Sequence, residues 1–137
     1  MSEKWTLWKP IPNLEDKYFI ESMCDMMDGF HIIFAPGERG SRAKKVKFFF
    51  EGSVTAFRIT EEGCRVETIA YLDITYQENP YADWTFFKVE NSSYLKWLSE
   101  QSSTISDHLN LQHICCITDD SFLDIATRYE PEISFIE

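Results

Sequence analysis

Two apolar runs meet at the dipeptide Asp28-Gly29, and this junction limits what the first half of the chain can become. Residues 17–27 (KYFIESMCDMM) precede it, and Phe30–Ala35 follows. Asp-Gly tolerates the positive φ angles of a tight hairpin turn. As a strand, the first run places Phe19, Glu21, Met23 and Asp25 on one face and Tyr18, Ile20, Ser22 and Cys24 on the other. A helical reading stays open there, because Asn13 or Asp16 could cap it and Tyr18, Met23, Met26 and Met27 follow loose helical spacing. The hairpin signal favours the strand.

The pattern continues in strands. Val46–Glu51 is apolar on both faces at Phe48, Phe49 and Phe50, and Gly52-Ser53 reads as a tight turn. Val54–Thr60 alternates, with Val54, Ala56, Arg58 and Thr60 on one side and Thr55, Phe57 and Ile59 on the other. A meander of three or four antiparallel strands is expected over residues 17–60.

The second half mixes elements. Glu61 and Glu62 suit a helix start, but Gly63 weakens it, and Val66, Ile69 and Tyr71 fit a strand as well. Residues 77–83 read as a loop and Trp84–Glu90 as a strand. Asn91 is placed to cap a helix over Ser92–Gln101, with Tyr94, Leu95, Trp97 and Leu98 as its apolar stripe. A polar loop (102–110) and a strand over Leu111–Thr118 follow. Ser121-Phe122-Leu123-Asp124 has a capping-box form and predicts a short helix through Ala126, ended by Pro131. Glu132–Ile136 alternates as a last strand. The fold class expected is α+β: an antiparallel sheet of early-meander and C-terminal strands, with two short helices packed on it. Residues 1–137 form one domain, of which 1–13 is an irregular N-terminal arm. Pro10 and Pro12 stop any helix in that arm, and Trp5 and Trp8 pin it.

Composition makes such a core feasible. Of the 137 residues 44% are hydrophobic and 15% aromatic, including eleven Phe, six Tyr and four Trp. A chain of this size needs no metal or disulfide staple. Cys24, Cys64, Cys115 and Cys116 form no CxxC pair and read as reduced thiols. No apolar run reaches membrane-spanning length, and the first ten residues lack a signal-peptide pattern, so a cytoplasmic location is expected.

The net charge of −10 is unevenly placed: residues 1–70 carry 10 Lys/Arg against 11 Asp/Glu, and residues 71–137 carry 3 against 12. That acidity argues against nucleic acid as a partner and favours encounter with a basic protein. His31, His108 and His113 show no metal-ligand spacing, and no metal or cofactor is expected. A nucleophile pair of a histidine with Cys64, Cys115 or Cys116 has no local support, so no catalytic residue is assigned. The stretch from Gly37 to Arg42 lacks the Gly-Lys-Ser/Thr ending of a phosphate loop, and Arg39, Arg42, Lys44, Lys45 and Lys47 read as a solvated basic loop. The densest carboxylates are Asp119, Asp120 and Asp124, with Glu130 and Glu132 nearby. They lack the spacing of a calcium loop. They fit the N-terminus of the expected helix or a partner-binding face, for which Asp119, Asp120 and Glu130 are the candidates.

The run WTFFKVENSSYLKWLSEQS, then LQHICCITDDSFLDIATRYEP, resembles the C-terminal half of small uncharacterised proteins of Bacillus-like bacteria. The carriers are Val89-Glu90-Asn91-Ser92 entering a helix with Trp97, then His113, Asp124-Ile125-Ala126 and Pro131, with Arg58 and the acidic pair after it. Some such proteins are suspected immunity partners of secreted polymorphic toxins. The resemblance implies a small interaction domain and supplies no site residues. The function expected is a cytoplasmic protein-binding module, immunity-like, whose acidic face fills the basic cleft of a toxin such as a nuclease. The alternatives are a small enzyme using histidine or carboxylate residues, and an oligomeric structural or regulatory module.

Overall fold

A computed structural model describes residues 2–37, 42–77 and 80–137. Its strands are β1 (Lys4–Leu7), β2 (Tyr18–Met26), β3 (Gly29–Pro36), β4 (Lys45–Glu51), β5 (Ala56–Glu61), β6 (Phe86–Glu90), β7 (Gln112–Ile117), β8 (Ser121–Thr127) and β9 (Glu132–Ile136). Its α-helices are α1 (Val66–Thr75), α2 (Pro80–Asp83) and α3 (Ser93–Gln101). The α+β class is as expected, with the strands divided between two antiparallel sheets, ordered β1-β6-β7-β8-β5 and β2-β3-β4-β9. Arg39 and most of the loop around it lie outside the described residues. No described helix is long and apolar enough to cross a membrane.

The Asp28-Gly29 hairpin forms with Met26 opposite Gly29. Gly29 has φ +153°, and a Cβ there would lie 2.2 Å from the Phe50 carbonyl oxygen on β4. Only glycine lets the start of β3 lie this close to the end of β4. The meander ends at three strands. Gly52 and Ser53, with φ of 73° and 77°, turn the chain out of the smaller sheet, and β5 pairs with β8 in the other. The turn expected to extend the meander is therefore a corner between sheets.

The sheets pack face to face. Phe30 on β3 stacks on Phe57 of β5 at 4.7 Å, while Phe34, four residues later, meets Phe86 of β6 at 5.1 Å. β5 and β6 stand three strand spacings apart, about 14 Å, and four residues of β3 advance about 13 Å. β3 thus runs across the strands of the larger sheet, an orthogonal packing. The core between the sheets holds Tyr18, Phe34, Phe48, Phe86, Ile114, Cys116, Leu123 and Ile125, all buried. Each large side chain removed from water there contributes about 1.5–3 kcal/mol.

A second apolar layer lies on the outer face of the larger sheet. Trp5, Leu72, Trp84, Phe87, Cys115 and Phe122 are buried in it. Leu72 comes from α1, which settles residues 66–75 as a helix in place of a strand. Three further expectations are corrected. Lys4–Leu7, part of the expected irregular arm, is an edge strand paired with β6, and Trp5 is buried. Ser121–Thr127 is a strand, not a helix, because β7 and β5 take its backbone hydrogen bonds on either side. The cap of α3 is Ser92, whose Oγ accepts from the Leu95 N–H at 3.1 Å, while Asn91 turns the chain at φ +54°.

Candidate functional site

Antiparallel register assembles a polar group at the centre of the larger sheet's outer face. Asp124 on β8 lies opposite Arg58 on β5 and Cys115 on β7, and His113 precedes Cys115 by two residues, so all four share that face. Arg58 Nε donates to Asp124 Oδ2 at 2.8 Å, and Arg65 Nη1, from the turn before α1, donates to the same oxygen at 2.7 Å. His113 Nε2 bonds Oδ1 at 2.7 Å. The carboxylate is fully buried. Burial alone would push its pKa up, but the hydrogen bonds from His113 and Arg58 and the charge of Arg65 outweigh that and hold it well below the usual range.

The group continues into α3. Ser92 Oγ lies 2.7 Å from His113 Nδ1, so serine, imidazole and carboxylate stand in line. A carboxylate only accepts, so Nε2 carries the proton given to Asp124, and Nδ1 faces the hydroxyl. Trp5 and Tyr94 pack on the imidazole at 6.2 and 5.5 Å. Tyr94 also carries the Arg58 guanidinium 4.3 Å from its centroid, and Trp97 stacks on Tyr94 at 6.2 Å. Trp97, expected in the core, is 51% exposed, and Tyr94 fills the buried place.

His113, Cys115 and Asp124 offer donor atoms within 4.8 Å of one another. Their chemistry fits an ion-pair group better than a metal centre. Two guanidiniums share Oδ2, the imidazole occupies Oδ1, and burial pushes the Cys115 thiol up, away from the thiolate a metal needs. Cys116 faces the opposite layer.

The expected partner-binding carboxylates separate. Asp119 and Asp120 are exposed in the β7–β8 turn, whereas Glu130 lies beyond the other end of β8 and pairs with Lys88. The turn gains other neighbours. Glu61 lies opposite Ser121, and the Glu62 N–H donates to the Asp120 carbonyl at 2.9 Å. Beside them, Lys17 Nζ donates to the carbonyls of Tyr81, Trp84 and Ile117 at 2.6, 3.1 and 2.9 Å. Burial lowers the Lys17 pKa, while Asp119, Asp83 and Glu62 act to raise it. A cavity of about 220 Å³ opens here, lined in part by Lys17, Glu62, Ile69, Tyr81 and Asp119. The Tyr81 hydroxyl donates to Asp73 of α1, which pushes its pKa up to about 12.

The other histidines stand apart. His31 bonds Asp28 at 2.8 Å beside the first hairpin, and His108 lies in a short 3-10 turn. Sequence reasoning missed Ser92 and the role of Asp124, which it placed at a helix start. The available signal was register: a strand at 121–127 puts Asp124 beside Arg58, whose outward face the alternation of β5 already marked.

No protein-family model, curated protein or solved structure matches the chain.

Proposed function

We propose that this chain is a protein-binding module, an immunity-like protein acting in the cytoplasm, whose acidic end closes over a basic partner such as a nuclease toxin. The observation that carries the reading is the outer stripe of α1. Val66 and Ile74 are 63% and 78% exposed, and Ala70 between them is also exposed. The inner side of the same helix buries Leu72 against the sheet. A helix that is apolar on both sides belongs between two surfaces, and the described residues supply only one.

The charges around the stripe define the other surface. Glu67 and Asp73 flank it on α1, and Glu62, Asp83, Asp119 and Asp120 are exposed at the same end. The nearby cations are committed internally, Arg65 to Asp124 and Lys17 to three carbonyls. The matching partner is therefore basic with an apolar contact at its centre, the usual division between anchor and rim. Carboxylates at the rim speed its encounter, and the apolar stripe holds it.

The test is co-expression with the product of a toxin-like gene encoded beside this one. Growth protection that is lost in Val66→Asp/Ile74→Asp, with an unchanged thermal midpoint, supports the reading. Full protection by that variant removes α1 from the interface. Failure to protect against, or to form a complex with, any such neighbour overturns the function.

A further inference from the structure

The line of Ser92, His113 and Asp124 plays no part in the proposed binding surface. We infer that it is a nucleophilic site, with Ser92 taking an acyl group from a small ester and His113 acting as the general base. Three features of its geometry go beyond what a helix cap requires.

The first is the placement of the hydrogen-bonding atoms. A cap serine needs only to accept from the first turn of its helix. Ser92 Oγ accepts from the Leu95 N–H, and Nδ1 of His113 lies a further 2.7 Å away to receive its proton. The second lone pair of Oγ stays available for attack. Asp124 gives Oδ1 to Nε2 and Oδ2 to both arginines. Buried rings on either side fix the plane of the imidazole. Here the nucleophile faces Nδ1 and the carboxylate faces Nε2. The relay is the same with the ring reversed, since either nitrogen can serve as base when the other is held as a donor.

The second feature is the turn that presents the serine. Chain leaves β6 at Glu90, reverses at Asn91 with φ +54°, and enters α3 directly after Ser92. In the first turn the Ser93 N–H is held by Glu3 and the Leu95 N–H by Oγ. Ser92 thus stands at the helix end where negative charge is favoured. The third feature is space. A cleft of about 380 Å³ is lined in part by Lys88, Glu90, Ser92, Leu95, Leu111 and His113, of which Ser92 and His113 are buried, at 4% and 3% exposure. That volume suits a small ligand, with leucines for a short acyl chain.

The chemistry balances without a co-reactant other than water. The Ser92 hydroxyl proton passes to Nδ1 as Oγ bonds to the carbonyl carbon, and the carbonyl π pair moves onto its oxygen. Collapse breaks the bond to the alkoxide, which takes the proton from Nδ1 and leaves as the alcohol. Water then gives a proton to Nδ1 while attacking the acyl carbon. Collapse releases the carboxylic acid, and the proton returns to Oγ.

The full chain is incubated with a fluorophosphonate and, separately, with 4-nitrophenyl acetate. A single adduct that peptide mapping places on Ser92, with steady release of nitrophenolate, is the result expected. Ser92→Asn keeps a capping acceptor and should lose the adduct. His113→Gln should slow nitrophenolate release by about 10²–10⁴-fold. Because either variant could disturb the fold, the wild-type protein decides: no adduct on Ser92 overturns the inference, as does equal labelling of Ser92→Asn. Neither result depends on a protein partner.

Discussion

Arg65 Nη1 donates to Asp124 Oδ2 at 2.7 Å, tying the residue that precedes α1 to the centre of the larger sheet. Arg58 reaches the same oxygen from β5. Asp124→Asn would keep the side-chain shape and leave two guanidiniums without their counter-charge. Breaking a buried pair in this way costs about 3–5 kcal/mol. Urea denaturation of the variant against wild type measures it, and a loss under about 1 kcal/mol would mean the arginines find water instead.

The same carboxyl sets an acid limit. Its folded pKa is held below the unfolded value of about 3.9, so the unfolded chain binds the proton first as pH falls. Its contribution is complete above the unfolded value and is lost as pH drops through the folded one. Thermal midpoints between pH 7 and pH 2 should fall below about pH 4 in wild type. The fall should be shallower in Asp124→Asn, which has no such proton to bind. Parallel curves would place the acid sensitivity elsewhere.

Tyr94 and Trp97 share a stack but not a role. Tyr94 is buried against His113 and under Arg58, and Trp97, which stacks on it, is half exposed. Tyr94→Ala should cost about 3–5 kcal/mol, as for other buried aromatics. Trp97→Ala should cost less than about 1 kcal/mol, since half its surface already meets water. Chemical denaturation of both variants separates the two, and equal costs would contradict the assignment of Tyr94 to the core.

This pair also shows what sequence patterning can and cannot resolve. The helix at 93–101 was legible, but its stripe contained both rings, and spacing alone does not say which one the sheet covers. The Asp28-Gly29 hairpin and β9 were legible because turn chemistry and alternation are local. β8 was not. It lies between β7 and β5 with side-chain layers on both faces, so Phe122, Leu123, Ile125 and Ala126 show no alternation, and Ser121 with Asp124 imitates a helix cap. That one misplacement hid Asp124, and with it the meeting of Arg58, Arg65, His113 and Ser92. The division into two sheets was hidden for a related reason, since Gly52-Ser53 has the residue types of a hairpin but turns the chain across to a distant strand.

Gly29 sets the start of β3 against the end of β4. A methyl group there would meet the Phe50 carbonyl oxygen at 2.2 Å and the Phe49 ring at 2.8 Å, in a backbone conformation that L side chains avoid. Gly29→Ala should lose roughly 1–3 kcal/mol from backbone strain, with the forced separation of strands added to it. Gly52→Ala tests the same φ sign without the clash, because nothing lies within 4 Å of a Cβ there. It should be the milder of the two by thermal denaturation.

Lys17 holds the acidic end together from within. Its ammonium donates to carbonyls from the α2 region, the start of β6 and the end of β7, and it sits amid Asp83, Glu62 and Asp119. Lys17→Met would fill similar space and keep the apolar stem. It would leave three carbonyls without that donor, at roughly 1–3 kcal/mol for each that water cannot reach, and would remove a positive charge from among those carboxylates. Stability should therefore fall, and should recover in part as salt screens the exposed carboxylates from one another. Asp119→Asn/Asp120→Asn alters charges on an exposed turn with no helix behind it, so its thermal midpoint should stay near that of wild type. A Lys17→Met midpoint equal to wild type at low salt would show that the three carbonyls are served by water and that the acidic end stands without its lysine.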